Sequence, residues 1–320
     1  MTEVYPKKHP IFDEVQFGLG TWAWGDRLYW GYGTTYNEAD LQAACQVSLA
    51  AGINFFDTAE VYGQGLSETF LGKFLKDVAP QPIIATKFMP YPWRLSRRSL
   101  LKALKNSLKR LDRQKVDLYM MHQALPPIRI EIWMDAMVEA YSAGLVGAIG
   151  VSNYDRQLTQ RAYDSLTREG IQLASNQMEY SLLERKVEKN GLLKHCQDLG
   201  VTLIAYSPLA EGTLTGKYSP ENPIPGFRGT TKNRSFLAKI APLISTLRKI
   251  GAAHQGKTPA QVAINWVICK GAVPIAGAKT SEQAEQNAGA IGWRLTDDEV
   301  ALLDDYSDRV TKKQPLYPKK

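Results

Sequence analysis

Short apolar runs alternate with amphipathic segments along most of this chain. Each run is nearly continuous in hydrophobicity, which is typical of parallel strands buried on both faces. Eight such runs predict strands at Phe17–Thr21, Ile53–Asp57, Ile83–Lys87, Val116–His122, Val146–Ser152, Ala174–Tyr180, Thr202–Tyr206 and Ala272–Gly277. Strand–helix alternation repeated in this way predicts an α/β fold, a (β/α)8 TIM barrel, in a single domain over residues 1–320.

Helix boundary signals lie between these runs. Asn37 can cap a helix whose apolar positions share one face, and Gly52 can end that helix. Ser96 opens a helix that carries a stripe of leucines. Thr258 and Thr296 each begin a capping box, in which a hydroxyl and a side chain three residues later satisfy each other's backbone N–H groups. The apolar stripes of these helices are predicted packing surfaces.

An open, doubly wound sheet is the alternative architecture for this alternation. Such a sheet carries a glycine-rich turn after its first strand, and no G-x-G-x-x-G motif occurs in the chain. The longest irregular stretch, 207–235, is rich in proline and glycine and follows the seventh strand. Loops of that length are usually functional or disordered, and in a barrel this one leaves the carboxyl-terminal end of strand seven, on the active-site face. Residues 1–15 are predicted to form an N-terminal arm and 311–320 a C-terminal tail.

Composition and charge argue against several classes of protein. The chain is 44% hydrophobic and 22% charged, as expected of a globular protein, and no run approaches the ~20 apolar residues of a membrane span. The formal charge is +7, but the basic residues are dispersed among 32 acidic ones, which argues against a nucleic-acid-binding face. Cys45, Cys196 and Cys269 stand singly, so we expect buried thiols, no metal site and a reducing compartment.

Four polar residues capable of acid–base chemistry end separate strands or follow them closely. Asp57 ends strand two, and Tyr62 lies just beyond it. Lys87 ends strand three and His122 ends strand four. Singly, each residue has an ordinary explanation as a helix cap, a surface residue or a satisfied core residue. Because the carboxyl ends of barrel strands face one mouth, all four together indicate a catalytic site.

The segments that contain these residues resemble the aldo-keto reductase family. The likeness covers the chain from about Phe17 to Asp304 and implies an NADPH-dependent enzyme that passes a hydride to a carbonyl group. The matching segments are Phe56–Gly63, Ala85–Lys87, Tyr119–His122, Gly147–Asn153, Ser175–Gln177, Ala205–Leu209, Leu214–Tyr218 and Pro274–Lys279.

The resemblance assigns a role to each residue of this catalytic tetrad. Tyr62 would donate the proton, Lys87 would lower the pKa of Tyr62, Asp57 would pair with Lys87, and His122 would hold the carbonyl oxygen. Free tyrosine, with a pKa of ~10, is a weak donor at neutral pH. A nearby ammonium can lower such a pKa by roughly 1–3 units, so we expect the pKa of Tyr62 below its ordinary value.

The resemblance also implies a binding site for NADPH. Ser152, Asn153 and Gln177 would hold the nicotinamide carboxamide, and Tyr206 would stack on the nicotinamide ring. The Ser207–Lys217 segment of the cofactor-covering loop, 207–235, would fold over the pyrophosphate. The implied cofactor-binding residues are Thr21, Trp22, Ser152, Asn153, Gln177, Tyr206, Ser207, Pro208, Leu209, Gly212, Leu214, Lys217, Gly277, Lys279, Ser281, Gln283, Gln286 and Asn287.

The adenosine end of that site follows strand eight. Lys279, Ser281 and Gln283 match positions that recognise the 2′-phosphate, where a cation favours NADPH over NADH. Asn287 matches an adenine contact. Gln286 stands where the family commonly has glutamate; because an amide can still bond to adenine, we expect only a small effect.

Aromatic residues follow strands one and three. At the mouth of a barrel, Trp24, Trp30 and Trp93 would wall an apolar pocket for flat carbonyl substrates. This region resembles the plant and cyanobacterial branch that includes pyridoxal reductase, and pyridoxal is a planar aromatic aldehyde. Plant members carry a chloroplast transit peptide and this chain has none, so we expect a cytoplasmic protein. The segments that carry the likeness are Thr21–Gly25, Leu28–Tyr32, Tyr91–Leu95, Gln261–Trp266 and Cys269–Gly271.

Two functions of other classes stay open. Lys87 could form a Schiff base, as in an aldolase, but Tyr206, Lys217 and Lys279 would then have no task. The chain could instead be a barrel subunit that binds NADPH and regulates a partner, as potassium-channel β subunits do, with little turnover. No exposed apolar stripe stands out in the sequence, so a monomer is expected.

Overall fold

Eight parallel strands form one closed barrel, in which each strand pairs with its neighbour in sequence and β8 pairs back to β1. The structure, a computed structural model, describes residues 7–226 and 228–311, and only the backbone of Arg228. The strands are β1 (Gly18–Gly20), β2 (Phe55–Asp57), β3 (Ile83–Phe88), β4 (Val116–Met121), β5 (Val146–Ser152), β6 (Leu173–Glu179), β7 (Thr202–Tyr206) and β8 (Val273–Gly277). The predicted barrel is confirmed.

Helices surround this barrel. They are α1 (Glu38–Ala50), α2 (Leu66–Leu75), α3 (Arg97–Leu111), α4 (Ile130–Ser142), α5 (Arg156–Thr167), α6 (Lys186–Lys189), α7 (Leu192–Asp198), α8 (Arg228–Thr231), α9 (Arg234–Ala253), α10 (Pro259–Cys269), α11 (Ser281–Ala288) and α12 (Asp297–Thr311). Short 3-10 helices occupy Pro10–Phe12, Tyr62–Gly65 and Thr213–Thr215. No helix in the described ranges is long and apolar enough to cross a membrane.

The predicted helix starts are confirmed by their hydrogen bonds. The amide oxygen of Asn37 accepts an N–H from Ala39 at 2.8 Å, and the Asp40 carboxylate accepts the N–H of Asn37. Thr258 forms the expected capping box with Gln261 and opens α10. These bonds satisfy N–H groups that a helix otherwise leaves without partners, so polar residues fix the ends of helices that apolar faces hold in place.

Strand ends depart from prediction by one or two residues. His122, expected in strand four, lies just past β4, yet its N–H still donates to the Phe88 carbonyl at 2.9 Å. Thr21, expected in strand one, likewise follows β1 and donates its N–H to the Asp57 carbonyl at 2.9 Å. Backbone bonding between neighbouring strands therefore continues beyond the regular ladder and holds the residues that follow it.

The 207–235 stretch is more ordered than predicted. A 3-10 turn and α8 lie within it, and α9 begins at Arg234, where the Asn233 side chain accepts the N–H of Phe236 at 3.0 Å. Residue 227 of this stretch, residues 1–6 of the predicted arm and residues 312–320 of the predicted tail lie outside the described residues.

The barrel interior is apolar at one end and polar at the other. Phe12, on the 3-10 turn before β1, is fully buried and packs 5.9 Å from Phe55, measured between ring centroids. A small apolar cluster continues upward through Leu118, Met120 and Ile204. A larger apolar cluster fills the space between the strands and the helices. The polar residues described below occupy the opposite, carboxyl-terminal end.

The three cysteines lie in helices. Cys45 in α1 and Cys196 in α7 are buried, and burial raises the pKa of each thiol to about 12. Cys269 in α10 is only partly buried, contrary to the expectation for all three, and its thiol donates to the Asn265 side chain at 3.3 Å.

Candidate active site

The four predicted catalytic residues meet at the carboxyl-terminal end of the barrel, around Lys87. The Lys87 ammonium donates to Asp57 Oδ1 at 2.7 Å, to the Thr58 carbonyl at 2.8 Å and to the Tyr62 hydroxyl at 3.3 Å. Lys87 is completely buried and Asp57 is 2% exposed. All three N–H donors of the ammonium therefore have partners, and one of these partners is the hydroxyl of the expected proton donor.

The carboxylate of Asp57 is held from both sides. Gln177 donates its amide Nε2 to Asp57 Oδ2 at 2.8 Å, opposite the bond from Lys87. Burial raises the pKa of Asp57, and the charge of Lys87 together with these hydrogen bonds opposes that rise. Burial alone would lower the pKa of Lys87, but Asp57 and Tyr62 outweigh it and raise that pKa. The arrangement keeps the lysine charged, and it gives Gln177 a contact that sequence analysis missed.

The pKa of Tyr62 shifts in the opposite direction to our expectation. Burial raises the pKa of Tyr62, and the ammonium of Lys87 only partly offsets that effect. The expected lowering is therefore wrong, and Tyr62 retains its proton at neutral pH. A retained proton suits a donor, because the alkoxide left by hydride addition is a much stronger base than a phenolate.

His122 faces Tyr62 edge-on, with ring centroids 5.7 Å apart and an angle of 83° between the planes. Burial and, secondarily, the positive charge of Lys87 lower the pKa of His122 to about 3. The imidazole is therefore neutral at physiological pH. Its Nδ1 has no hydrogen-bond partner among the described residues. We assign the proton to Nε2, because a buried N–H without a partner costs more than an unused lone pair.

A left-handed turn directs Tyr62 into the mouth. Gly63 and Gln64 both have positive φ, at 54° and 58°. A Cβ on Gly63 would lie 2.8 Å from the Trp24 carbonyl oxygen, closer than side chains approach. Glycine is therefore required for the loop that carries Tyr62 to pack against the loop that follows β1.

A buried cluster of hydroxyl groups lies behind Asp57. Thr21 donates its hydroxyl to the Asp57 carbonyl at 2.8 Å, and the Ser67 hydroxyl lies 2.7 Å from that of Thr21 and 2.8 Å from that of Thr58. Thr21 has no exposed surface. The expected cofactor contact of Thr21 is therefore wrong, because its hydroxyl is used to fix the backbone of Asp57. No sequence motif indicated Ser67.

The residues expected to hold the nicotinamide form one hydrogen-bonded group. Asn153, in a left-handed conformation with φ 61°, donates its amide to the His122 carbonyl at 3.1 Å and to the Ser152 hydroxyl at 3.0 Å. Tyr206 donates its hydroxyl to Asn153 Oδ1 at 3.0 Å. Ser152 donates to the Gln177 carbonyl at 3.0 Å. Tyr206 is thus linked through Asn153 to the backbone of His122, and its stacking on the nicotinamide stays a prediction.

The loop after β7 turns through several left-handed residues. Ser207 has φ 52° and Gly212 has φ 89°, and Pro208 and Leu209 lie between them. Leu214 is completely buried, so its expected direct contact with the cofactor is wrong: its side chain anchors the loop in the core.

Hydrogen bonds join the loop after β7 to the loop after β1. Glu211 accepts hydrogen bonds from the Lys232 ammonium at 2.6 Å and from the Tyr29 hydroxyl at 3.1 Å. Lys232 also donates to the Ala210 carbonyl at 3.0 Å. Nothing in the sequence indicated that these residues pair, since they come from separate segments and no local spacing relates them. The sequence did indicate Lys217. Its side chain is exposed, and its ammonium lies 5.8 Å from the centroid of the Tyr218 ring.

The residues expected at the 2′-phosphate surround the start of α11. Ser281 is the first residue of that helix, Thr280 caps it, and Gln283 accepts the N–H of Lys279 at 2.9 Å. The Lys279 ammonium lies 5.4 Å from the centroid of the Trp30 ring. A helix N-terminus beside a lysine is favourable for an anion, since both present positive charge.

The remaining adenosine-side residues differ in accessibility. Asn287 is 4% exposed and donates its amide to the Gly277 carbonyl at 3.2 Å, at the end of β8. Gln286 is exposed, and its backbone carbonyl accepts the Gln261 amide at 3.0 Å. The side chain of Gln286 can therefore reach a ligand without disturbing a core contact.

The aromatic residues separate into a buried one and a group at the rim. Trp24 is completely buried and donates its indole N–H to the Ala278 carbonyl at 2.9 Å, so its expected place in the substrate pocket is wrong. The apolar ring is covered by core packing and its polar N–H is satisfied there. Trp22, 40% exposed, lies edge-on to Trp30 at 5.3 Å, and Trp93 is 72% exposed.

Comparison with known proteins agrees with this geometry. A model of the Aldo/keto reductase family matches residues 16–308. A chloroplastic pyridoxal reductase of Arabidopsis thaliana is 42% identical, over 95% of this chain and 89% of the relative. A glycerol dehydrogenase of Gluconobacter oxydans superposes with a TM-score of 0.82 at 26% identity, over 95% of each chain. An aldo-keto reductase of Klebsiella pneumoniae in complex with NADPH has a TM-score of 0.72 at 27% identity, over 94% of this chain and 92% of that one. The chain therefore belongs to the aldo/keto reductase family, and the resemblance found in its sequence is confirmed.

Proposed function

We propose that this protein reduces aldehydes and ketones to alcohols with NADPH, and that pyridoxal is among its substrates. One observation carries the reductase activity: a protonated Tyr62 lies 3.3 Å from the charged Lys87 at the open end of the barrel. The bound cofactor supplies the hydride. The protein's own groups hold the carbonyl, donate the proton and stabilise the charge that develops on oxygen.

The tetrad divides this work between two donors. The rings of the neutral His122 and of Tyr62 lie 5.7 Å apart, so the His122 Nε2–H and the Tyr62 hydroxyl would both donate to a carbonyl oxygen bound beside them. His122 cannot protonate the oxygen at neutral pH, because its pKa is about 3, so it positions the carbonyl by a hydrogen bond. Tyr62 gives up its proton, and Lys87 stabilises the phenolate that remains. Asp57 keeps Lys87 charged and does not contact the substrate.

The residues of this site fit both the nicotinamide end and the adenosine end of NADPH. Tyr206 is tethered through Asn153 beside the tetrad, where the nicotinamide must lie for hydride transfer. Lys279 lies next to the N-terminus of α11, where the 2′-phosphate would be bound. A lysine there favours NADPH over NADH, since only NADPH carries that phosphate.

Pyridoxal is proposed on two observations. The Arabidopsis relative, 42% identical, carries the name pyridoxal reductase. The mouth also has aromatic side chains at its rim, since Trp22 stacks on Tyr29 at 5.4 Å and Trp93 stacks on Tyr91 at 4.5 Å. Flat rings of this kind suit a planar aromatic aldehyde, because offset stacking adds ~0.5–1.5 kcal/mol beyond the burial of area.

The test is NADPH oxidation by the purified protein with pyridoxal and, separately, with 4-nitrobenzaldehyde. Tyr62→Phe is assayed beside the wild type, and the product from pyridoxal is identified by chromatography. We expect pyridoxal to be turned over to pyridoxine, and Tyr62→Phe to lower turnover by ~10²–10⁴ with NADPH affinity nearly unchanged. The variant removes the proton donor and leaves the cofactor site intact.

Three other results would contradict parts of the proposal. Turnover of nitrobenzaldehyde without pyridoxal would remove pyridoxal and leave a broad reductase. Normal rates in Tyr62→Phe would mean that another group donates the proton. Tight NADPH binding without turnover of either aldehyde would favour a regulatory barrel subunit.

A further inference from the structure

We propose that the ion pair between Glu60 and Arg94 sets the preference for flat aromatic carbonyl substrates, by holding the stacked rings of Tyr91 and Trp93 at the rim of the mouth. This inference rests on carbonyl reduction at Tyr62, as proposed above, but does not require pyridoxal to be the substrate.

Glu60 joins the loop that carries the proton donor to the loop after β3. It lies between Asp57 and Tyr62 in the chain, and its backbone N–H approaches the Lys87 carbonyl at 3.4 Å. Its carboxylate points the other way, is 8% exposed, and accepts the N–H of Met89 at 2.8 Å. A buried carboxylate needs further partners, because an unpaired charge away from water is costly.

Arg94 supplies those partners. Its guanidinium donates to Glu60 Oε2 at 3.1 Å and makes a second contact with Oε1, so both carboxylate oxygens are used. The same guanidinium donates to the Met89 carbonyl at 3.0 Å. Backbone bonds from Tyr91 to Met89, at 2.9 Å, and from Arg94 to Tyr91, at 2.8 Å, complete a compact loop. Bidentate pairs of this geometry fix direction as well as distance.

The ion pair also supports the aromatic rings. Arg94 lies 4.9 Å from the Phe88 ring centroid and 5.5 Å from that of Tyr91. Tyr91 stacks on Trp93 at 4.5 Å with 7° between the planes, yet Trp93 remains 72% exposed. A large exposed aromatic surface at a barrel mouth is available for a ligand to cover, and a ring held in one orientation loses less entropy when it does so.

The arrangement separates specificity from catalysis. The Arg94 side chain makes no contact with a tetrad residue in the described structure, and its charge is balanced by Glu60. Removing the guanidinium therefore leaves the Lys87–Tyr62 hydrogen bond in place and releases the loop that holds Trp93. A flat substrate would lose its stacking surface, whereas a small aliphatic aldehyde would lose little.

The test is Arg94→Met, assayed with 4-nitrobenzaldehyde, pyridine-4-carbaldehyde and propanal. We expect the KM for the two aromatic aldehydes to rise by roughly 3- to 10-fold, which corresponds to the loss of one aromatic stacking interaction. The kcat/KM for propanal and the Kd for NADPH should stay within about twofold. Arg94→Lys keeps the charge but not the bidentate contact, so its KM should lie between those of wild type and Arg94→Met.

Two controls make the result specific. Arg97→Met removes a neighbouring arginine whose ion pair with Asp135 is about half exposed, and it should change none of these constants. Adding Trp93→Ala to Arg94→Met should cause no further loss, since both changes act on one stack. Equal losses with propanal and the aromatic aldehydes, or no change with either, would overturn the inference. Failure of pyridoxal alone as a substrate would not, because pyridoxal is not used in this assay.

Discussion

The tetrad half of the active site and its cofactor half are built in different ways. On β2 and β3, Asp57 and Lys87 are almost inaccessible, and every donor of the lysine is occupied. After β7 and β8, the expected cofactor contacts come from left-handed backbone at Ser207 and Gly212 and from accessible side chains such as Lys279. The first half is a closed polar core, and the second is an accessible surface.

Because of this difference, substitutions in the two halves should have different effects on stability. A closed polar network is organised before any ligand binds, so breaking it leaves buried groups without partners and lowers stability as well as activity. An accessible surface that binds an anionic cofactor contributes little to folding, so changes there affect the affinity for the cofactor alone. Variants in the two halves should therefore differ in whether the free energy of unfolding changes together with function.

The largest effect is expected for Lys87→Met. This change leaves the Asp57 carboxylate buried without its cation, which costs about 3–5 kcal/mol of unfolding free energy. It also removes the charge beside Tyr62, so turnover should fall by ~10² or more. Denaturant unfolding and steady-state kinetics measure the two losses on the same preparation.

The matched control is Lys73→Met, which makes the same chemical change in an exposed ion pair with Glu38. That variant should lose under about 1 kcal/mol and keep full activity. Adding Asp57→Asn to Lys87→Met should restore part of the stability and none of the activity. Similar stability losses at Lys73 and Lys87 would mean that the tetrad is not a closed network.

A smaller effect on stability is expected from His122 as pH falls. Burial holds the pKa of His122 at about 3, whereas the unfolded chain takes up a proton there near the ordinary histidine value. The unfolded state therefore binds the proton first, and stability falls as pH drops through this window. Between pH 7 and pH 5 the contribution is about 2 kcal/mol.

His122→Gln removes this term and serves as the comparison. Urea unfolding at both pH values should show wild type losing about 2 kcal/mol more than the variant between pH 7 and pH 5. An equal loss in the two proteins would mean that His122 is readily protonated in the folded state, and a charged imidazole would then share the acid role with Tyr62.

The sequence predicted the parts of the site that follow from chain periodicity. Apolar runs placed the strands, and a strand that ends in a barrel must direct its next residues to the mouth, which brought Asp57, Lys87 and His122 together. Tyr62 needed more, since two left-handed residues turn the chain after it. Of those two, Gly63 is a residue type that indicates such a turn.

Other positions depend on contacts between distant segments, and no local pattern specifies them. Trp24 and Thr21 follow the same strand as the exposed Trp22. Both can nevertheless be buried, because neighbouring carbonyl groups accept hydrogen bonds from their side chains. Glu60 and Arg94 belong to different loops, and their pairing becomes visible only when the loops are packed together. A cytoplasmic location and a monomeric state stay predictions.

The smallest effect on stability is expected for Lys279→Ala in the cofactor half, which should change affinity alone. The Lys279 ammonium lies 4.8 Å from the Tyr36 ring and 5.4 Å from the Trp30 ring, so these rings hold it beside the start of α11. A hydrogen bond to a charged group contributes ~1.5–3 kcal/mol, so the Kd for NADPH should rise about tenfold or more. The Kd for NADH and the free energy of unfolding should hardly change.

Lys217→Ala separates this role from general attraction of anions. Lys217 is exposed on the loop expected to cover the pyrophosphate, which NADPH and NADH share. Its loss should therefore weaken both cofactors by the same factor, whereas Lys279→Ala should act on NADPH only. Fluorescence titration with each cofactor measures both ratios. If Lys279→Ala weakened NADH as much as NADPH, the lysine would be attracting the whole dinucleotide, and the preference for NADPH would have to come from Ser281 and Gln283 at the helix start.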